Sequence, residues 1–312
     1  PPEGFTCQGD RFKDAKGYDS GFAVRAGDVP RWSLVADHGA MGSLHIESTG
    51  GLNAESPYCL RLDAVDTSTG RFGVANGGFW GIGVASGECY DLILHVRAGA
   101  GFSGSLAVGL ESPNGSPCSE ILEIHGVEAT WKPFKASFKA TKSEAKARLV
   151  ILVRGHGSVR LDWISLMPQV TWKNHGLRPD IAGMIADLKP GFVRWPGGCV
   201  VEGGTVESAY DWKLGIGAAE ARPECWTAWN HRRTHGLGLF EYLRFCEDLG
   251  AKPLYVGFAG QTCLFREAEN VPMEKMAKVT ENFAGAIEFA RGDVTTKYGA
   301  LRCLHSDRHL SP

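Results

Sequence analysis

A proline followed by two glycines, Pro196-Gly197-Gly198, ends the apolar run Phe192-Val193-Arg194-Trp195 and opens a loop dense in Trp, Glu and Arg. Adjacent glycines let backbone amides approach a ligand without Cβ obstruction, so this turn can present hydrogen-bond donors. Further along, Trp226 and Trp229 offer flat aromatic surfaces, and Glu202 and Glu207 are loop carboxylates of the type that acid/base chemistry uses. Each has a plainer reading: a structural turn, indoles packed on an adjacent helix, and solvated surface Glu.

The elements that must hold this loop are readable on both sides of it. Residues 178–188 carry Ile181, Ile185 and Leu188 at helical spacing, with Pro179 near the first helical position, and Lys189-Pro190-Gly191 breaks the helix. The apolar run from Phe192 then reads as a buried strand. A second helical stripe, Leu239, Leu243, Cys246 and Leu249, is capped by Gly250 and followed by a short strand over 253–260. Two such units in tandem predict a parallel α/β arrangement, a barrel or a doubly wound sheet.

Before Pro168 the period changes to two. Phe134, Ala136, Phe138 and Ala140 form one alternating row, Leu149, Ile151 and Val153 another, Val159, Leu161 and Trp163 a third, and Leu92, Leu94 and Val96 a fourth. Turn signals at Asn76-Gly77-Gly78, Ser112-Pro113-Asn114-Gly115 and Gly155-His156-Gly157 separate such runs, which predicts an antiparallel β-sandwich. Within it, Gly99 to Gly104 matches G-x-G-x-x-G. The alternation of Leu106, Val108 and Leu110 that follows is a strand, not the helix a pyrophosphate needs, so the motif is read as a hairpin turn and not as a nucleotide site.

Several long segments resemble the α-L-arabinofuranosidases of glycoside hydrolase family 51. They are Gly176-Leu177-Arg178-Pro179-Asp180, the run from Leu188 through Phe192-Val193-Arg194-Trp195-Pro196-Gly197-Gly198 to Cys199, Asp211-Trp212-Lys213 with Ile216-Gly217, Arg222-Pro223, and Thr234-His235-Gly236-Leu237-Gly238. The likeness continues through Phe245 to Gly250, Ile287-Glu288-Phe289 and Lys297 to Arg302. Residues Val74 to Ile82 and Leu161 to Pro168 resemble the jelly-roll, carbohydrate-binding-module-like insert found in many members. The resemblance implies a mixed fold, an antiparallel β-sandwich (jelly roll) followed by part of a (β/α)8 TIM barrel. Its expected parts are a linker over 1–19, the sandwich over 20–168 and the partial barrel over 169–312.

It also implies a chemistry. Family 51 is a retaining group, and retention needs two carboxyl groups about 5 Å apart. By resemblance the acid/base Glu follows an Asn at the end of the fourth strand and the nucleophile ends the seventh. The chain has no Asn-Glu dipeptide, and after Arg302 the family pattern gives way to Cys303-Leu304-His305-Ser306-Asp307-Arg308-His309. Only the second and third barrel strands are recognisable, so the expectation is an internal fragment or truncated product with no catalytic residue of its own. Glu202 and Glu207 fall on neither catalytic strand. The substrate-binding residues expected within the fragment are Arg194, Gly197, Gly198, Cys199, Trp226, Trp229 and His235. Cys199 stands where relatives often carry Asn, with its backbone amide still able to contact sugar and a buried thiol as the alternative. His235 resembles a pocket position, with a helix-start hydrogen bond as the alternative. Trp80 reads as packed against the sandwich's neighbour, with sugar stacking the other option, and Trp163 reads as core.

Composition narrows the remaining classes. With 43% hydrophobic residues and a net charge of -2, the 312-residue chain reads as an ordinary globular protein, with scattered Lys and Arg that favour no nucleic acid; Arg232-Arg233 reads as a charge pair on a solvated loop. No apolar stretch approaches the ~18 residues of a membrane helix. Nine cysteines without a Cys-x-x-Cys fit neither a zinc site nor a small disulfide framework and read mostly as buried thiols; the carboxylate catalysis that the resemblance implies needs no metal or cofactor, and none is expected. The expected partners are arabinose-containing plant polysaccharides such as arabinan, arabinoxylan or arabinogalactan, in an extracellular or periplasmic setting. A sugar-binding but non-catalytic module and an inactive product are the competing readings.

Overall fold

The computed structural model describes residues 32–305 except 55–56, 79, 224 and 228–231, together with the backbone of three short strands, β1 (Thr6–Gln8), β2 (Arg11–Lys13) and β3 (Asp19–Ala23). The rest of the 1–19 linker lies outside the described residues, as do the side chains of Trp226 and Arg232. From Trp32 onward the described residues divide into two compact units, one reaching to Pro179 and the other starting at Asp180.

The first unit is a sandwich of two antiparallel sheets. Its strands are β4 (Trp32–Ala36), β5 (Met41–Glu47), β6 (Cys59–Asp66), β7 (Phe72–Asn76), β8 (Ile82–Val84), β9 (Cys89–Ala98), β10 (Ser103–Glu111), β11 (Leu122–Ile124), β12 (Lys132–Lys139) and β13 (Glu144–Pro168). One sheet runs β11-β10-β13-β7-β4, with β8 beside the start of β13, and the other runs β12-β9-β13-β6-β5. Leu62, Phe72, Leu94, Leu106, Ile151 and Leu161 are fully buried between them. Burying each such side chain contributes about 1.5–3 kcal/mol, and Leu94, Ile151 and Leu161 come from the period-two rows read in the sequence. Glu111, itself buried, is held by Arg71 at 2.7 Å and Arg148 at 2.8 Å, which keeps its charge paired.

Three expectations for this unit need correction. Gly155-His156-Gly157 does not separate two strands; it is the bend at which the 25-residue β13 leaves one sheet, where it pairs with β10 and β7, and enters the other, where it pairs with β6 and β9. The Gly99–Gly104 motif does not close a hairpin: β9 and β10 lie in different sheets, so the turn arches across the sandwich. Trp163 is half-buried, not core. It has φ 37° at a β-bulge between Asp162 and Ile164, which takes it out of the inward-facing row.

The second unit contains α1 (Pro179–Asp187), β14 (Phe192–Pro196), α2 (Gly198–Glu202), β15 (Cys225–Trp226), β16 (Arg232–Arg233), α3 (Leu239–Leu249), β17 (Lys252–Val256), α4 (Met276–Arg291) and α5 (Lys297–Arg302). β14 and β17 pair in parallel, Phe192 opposite Lys252 through Pro196 opposite Val256, with α3 as the crossover between them. Together the two units make the expected mixed fold, a jelly-roll sandwich followed by part of a barrel. The core joins Trp195, Tyr210, Trp212, Leu239, Leu243 and Phe289, and Trp212 Nε1 donates to the Asn282 carbonyl at 2.9 Å. Gly250 caps α3 in the left-handed region at φ 68°. β17 stops at Val256, short of the expected Gly260. The stripe on α1 is not covered: Ile181 is exposed and Leu188 is 79% exposed, while Ala182 is the helix's buried residue. On β14, Phe192 is 62% exposed and shares its exposed face with Arg194, so the strand is not buried on both sides.

Candidate functional site

The carboxyl end of β14 is fixed by aromatic packing. Trp195, 2% exposed, stacks on Tyr242 with ring centres 4.8 Å apart and 9° between planes, and Tyr255 of the neighbouring strand packs beside it at 5.2 Å. The chain then leaves the strand through Pro196 and turns at Gly197 (φ 70°) and Gly198 (φ 55°), a left-handed pair that L-residues adopt with difficulty. A Cβ on Gly197 would lie 2.6 Å from Arg194 Nη1, so the guanidinium folds back over the turn. A Cβ on Gly198 would meet nothing within 4 Å. The turn therefore exposes backbone at Gly198 beside a cationic group, at the strand end where barrel enzymes build their sites.

Short contacts tie the following loop down. Tyr210 N donates to the Val201 carbonyl at 3.0 Å, Arg233 Nη1 donates to the Val200 carbonyl at 2.7 Å, and the Arg233 guanidinium lies 5.1 Å from the centre of the Tyr210 ring. Arg233 is half-buried in these contacts and is not part of a solvated charge pair, because β16 brings it back against β15. Burial pushes the Tyr210 hydroxyl well above its ordinary pKa, so it stays protonated.

His235 is 2% exposed. Its Nδ1 lies 2.6 Å from the Pro223 carbonyl, which can only accept, so Nδ1 carries the proton; Nε2 is 3.9 Å from Cys225 Sγ. Burial is the main reason its pKa is lowered, and the ring is neutral near pH 7. It fastens the loop and makes no helix-start hydrogen bond, since Gly238 N donates instead to Glu241 Oε2 at 2.8 Å. The sequence reading missed Arg222 as the partner of this arrangement: it donates to the carbonyls of Gly217, His235 and Gly236 and forms an ion pair with Glu241 at 2.8 Å. Its signal was present in the Arg222-Pro223 motif, but not its role.

Glu207 is exposed. Glu202 is half-buried on α2 and comes together with Cys199 of the same helix and Cys263 of the loop after β17, the three donor atoms lying within 4.8 Å of one another. Trp229 lies outside the described residues; Trp226 is described by its backbone, opposite Arg232 in the β15–β16 pair. The structure therefore brings Arg194, Gly197, Gly198 and Cys199 to one turn, with His235 buried in the loop's support. On the sandwich, Trp80 is 88% exposed.

Residues 184–309 match the family model described as the alpha-L-arabinofuranosidase 1 domain. The chain is 32% identical over 296 residues to alpha-L-arabinofuranosidase 1 of Arabidopsis thaliana, a match that takes in 92% of this chain and 42% of that protein. It is 34% identical over 271 residues to an extracellular exo-alpha-L-arabinofuranosidase of Streptomyces chartreusis, covering 82% of this chain and 31% of that one. Among solved structures, an arabinose-bound α-L-arabinofuranosidase designated MgGH51 superposes with a TM-score of 0.82 at 28% identity, over 90% of this chain and 46% of that chain. The chain thus spans less than half the length of each of these relatives.

Proposed function

We infer that this chain, which belongs with the α-L-arabinofuranosidases of glycoside hydrolase family 51, supplies the sandwich and two strand–loop units of an enzyme that releases terminal α-L-arabinofuranose from arabinan, arabinoxylan or arabinogalactan. The observation that carries this reading is the positive-φ turn at Gly197-Gly198, buried at Gly197 under the Arg194 guanidinium and exposed at Gly198, at the end of β14. The amides of Gly198 and Cys199 and the Arg194 guanidinium donate to furanose hydroxyls. Trp226 and Trp229 supply aromatic faces, and His235 and Arg222 hold the loop in place. Cleavage with retention needs two carboxyl groups about 5 Å apart, one to protonate the leaving oxygen and one to attack the anomeric carbon. The chain contains no Asn-Glu dipeptide, so these residues bind and orient the sugar, and the bond-breaking carboxylates are not among them.

The test is turnover of an aryl α-L-arabinofuranoside by the purified 312-residue chain. The expected rate equals that of buffer. Hydrolysis abolished by Glu202→Gln would place a catalytic carboxylate on α2 and overturn this division of labour.

A second reading rests on Trp80, whose 88% exposure suits an aromatic platform for a polysaccharide face. It expects saturable binding of arabinoxylan or arabinan oligosaccharides that Trp80→Ala removes while the circular dichroism spectrum is unchanged. Equal binding by the variant rejects it.

A further inference from the structure

Cys199 and Glu202 stand three residues apart on α2, and this spacing puts both side chains on one face of the helical turn. Cys263 arrives from the loop after β17, and the backbone sets its position. Cys263 N donates to the Gly203 carbonyl at 3.1 Å, while Gly203 N donates to the Cys199 carbonyl at 3.0 Å. The same two loops are joined again where Val206 N donates to Glu269 Oε2 at 2.9 Å. Two sulfurs and a carboxylate are thereby held within 4.8 Å of one another, with Cys263 buried and the other two half-buried.

The geometry points to a binding site for a soft divalent cation of the zinc class, formed by Cys199 Sγ, Cys263 Sγ and a Glu202 carboxylate oxygen. A tetrahedral zinc with sulfur at ~2.3 Å and oxygen at ~2.1 Å needs donors about 3.5–3.8 Å apart. The observed spacing is at most about 1 Å wider, a gap that rotation of the two half-buried side chains closes. Sulfur donors select zinc over magnesium or calcium. A carboxylate beside two sulfurs adds a negative charge that attracts a cation. As the ion binds, each sulfur forms a bond to the metal and gives its proton to solvent, so two protons leave per ion and water takes the fourth position. The ion would pin α2, and with it the Gly197-Gly198 turn, to the loop that follows β17.

The test is titration of the reduced 312-residue chain with Zn²⁺ in competition with a chromophoric chelator, followed by Co²⁺ in place of Zn²⁺. The expected result is one equivalent of Zn²⁺, release of two protons, and a sulfur-to-cobalt charge-transfer band. Cys199→Ala and Cys263→Ser should each weaken Zn²⁺ by more than ~100-fold and diminish the band, and Glu202→Gln should weaken it by at least ~10-fold, since even groups that merely support ligands cost ~10–100-fold. Cys303→Ser, at an exposed thiol elsewhere, should change nothing. The half-buried Cys199 keeps the test open if the buried Cys263→Ser variant fails to fold. Absence of Zn²⁺ uptake by the reduced chain, uptake that survives Cys199→Ala, or loss of two thiols to glutathione disulfide without any Zn²⁺ uptake would overturn the assignment.

Discussion

Gly155→Ala should be among the most damaging single-methyl additions in the sandwich. At φ 140° the residue occupies a region that is essentially reserved for glycine, and leaving it there with a side chain costs about 1–3 kcal/mol. The added Cβ would also lie 2.0 Å from the Ser103 carbonyl oxygen, a backbone atom of the paired strand β10 that cannot swing away. Forcing the strands apart adds about 1–3 kcal/mol of overpacking. The sum, about 2–6 kcal/mol, is a large part of the ~5–15 kcal/mol that typically holds a domain together. Gly126→Ala provides the control. It has positive φ (67°) but nothing within 4 Å of the new methyl, so only the backbone cost of about 1–2 kcal/mol applies. Amide hydrogen exchange of β13 in the whole chain separates the two, because it reads local opening without assuming that both units unfold together. Exchange of residues 149–161 should accelerate by about tenfold per 1.4 kcal/mol, over the full ~2–6 kcal/mol in Gly155→Ala and by no more than the ~1–2 kcal/mol of backbone cost in Gly126→Ala. Equal protection in the two variants would refute the claim that β13 is one strand shared by two sheets through a bend that admits no side chain.

Arg222→Ala should cost about 3–5 kcal/mol locally, because it strips the Gly217, His235 and Gly236 carbonyls of their donor and leaves Glu241 without its cation; faster exchange of the 234–238 amides checks this. Glu47 is hydrogen-bonded by Arg160 and Arg61, the first being the larger cause, and its pKa falls from 4.5 to about 2 against the opposing effect of burial. A depressed carboxylate stabilises the fold above its unfolded pKa and loses that contribution as pH falls, so stability should decline between about pH 4.5 and 2, and more shallowly in Arg160→Met; acid titration by circular dichroism reads the difference.

Much of this architecture is legible in the chain because periodicity reports which face is buried. The rows Leu92-Leu94-Val96, Leu149-Ile151-Val153 and Val159-Leu161 all reappear as buried residues of the sandwich, and the Leu239, Leu243 and Cys246 stripe as the inner face of α3. Glycine was harder to interpret. Gly155 and Gly157 carry the same composition signal as a chain reversal, and only the partner strands reveal a bend. Trp163 left its row because a bulge shifts register by one residue, which alternation does not encode. At the candidate site, Pro196-Gly197-Gly198 announced a turn, yet the grouping of Cys199 and Glu202 with Cys263 was hidden, since it depends on two parallel strands lying side by side and not on a local motif. His235, which the resemblance places near a sugar pocket, and Arg233, which reads as one of a charge pair on a solvated loop, are internal fasteners, a distinction that rests on burial.

The central claim is that the turn after β14 presents its amides to arabinose. It is tested most directly by titrating the ¹⁵N-labelled 312-residue chain with L-arabinose and following backbone amide shifts. The account predicts saturable shifts at Gly197, Gly198 and Cys199 that disappear in Gly198→Val while the spectrum of the sandwich is preserved. Unchanged amides at these three residues up to saturating sugar, or shifts confined to the surroundings of Trp80, would contradict it.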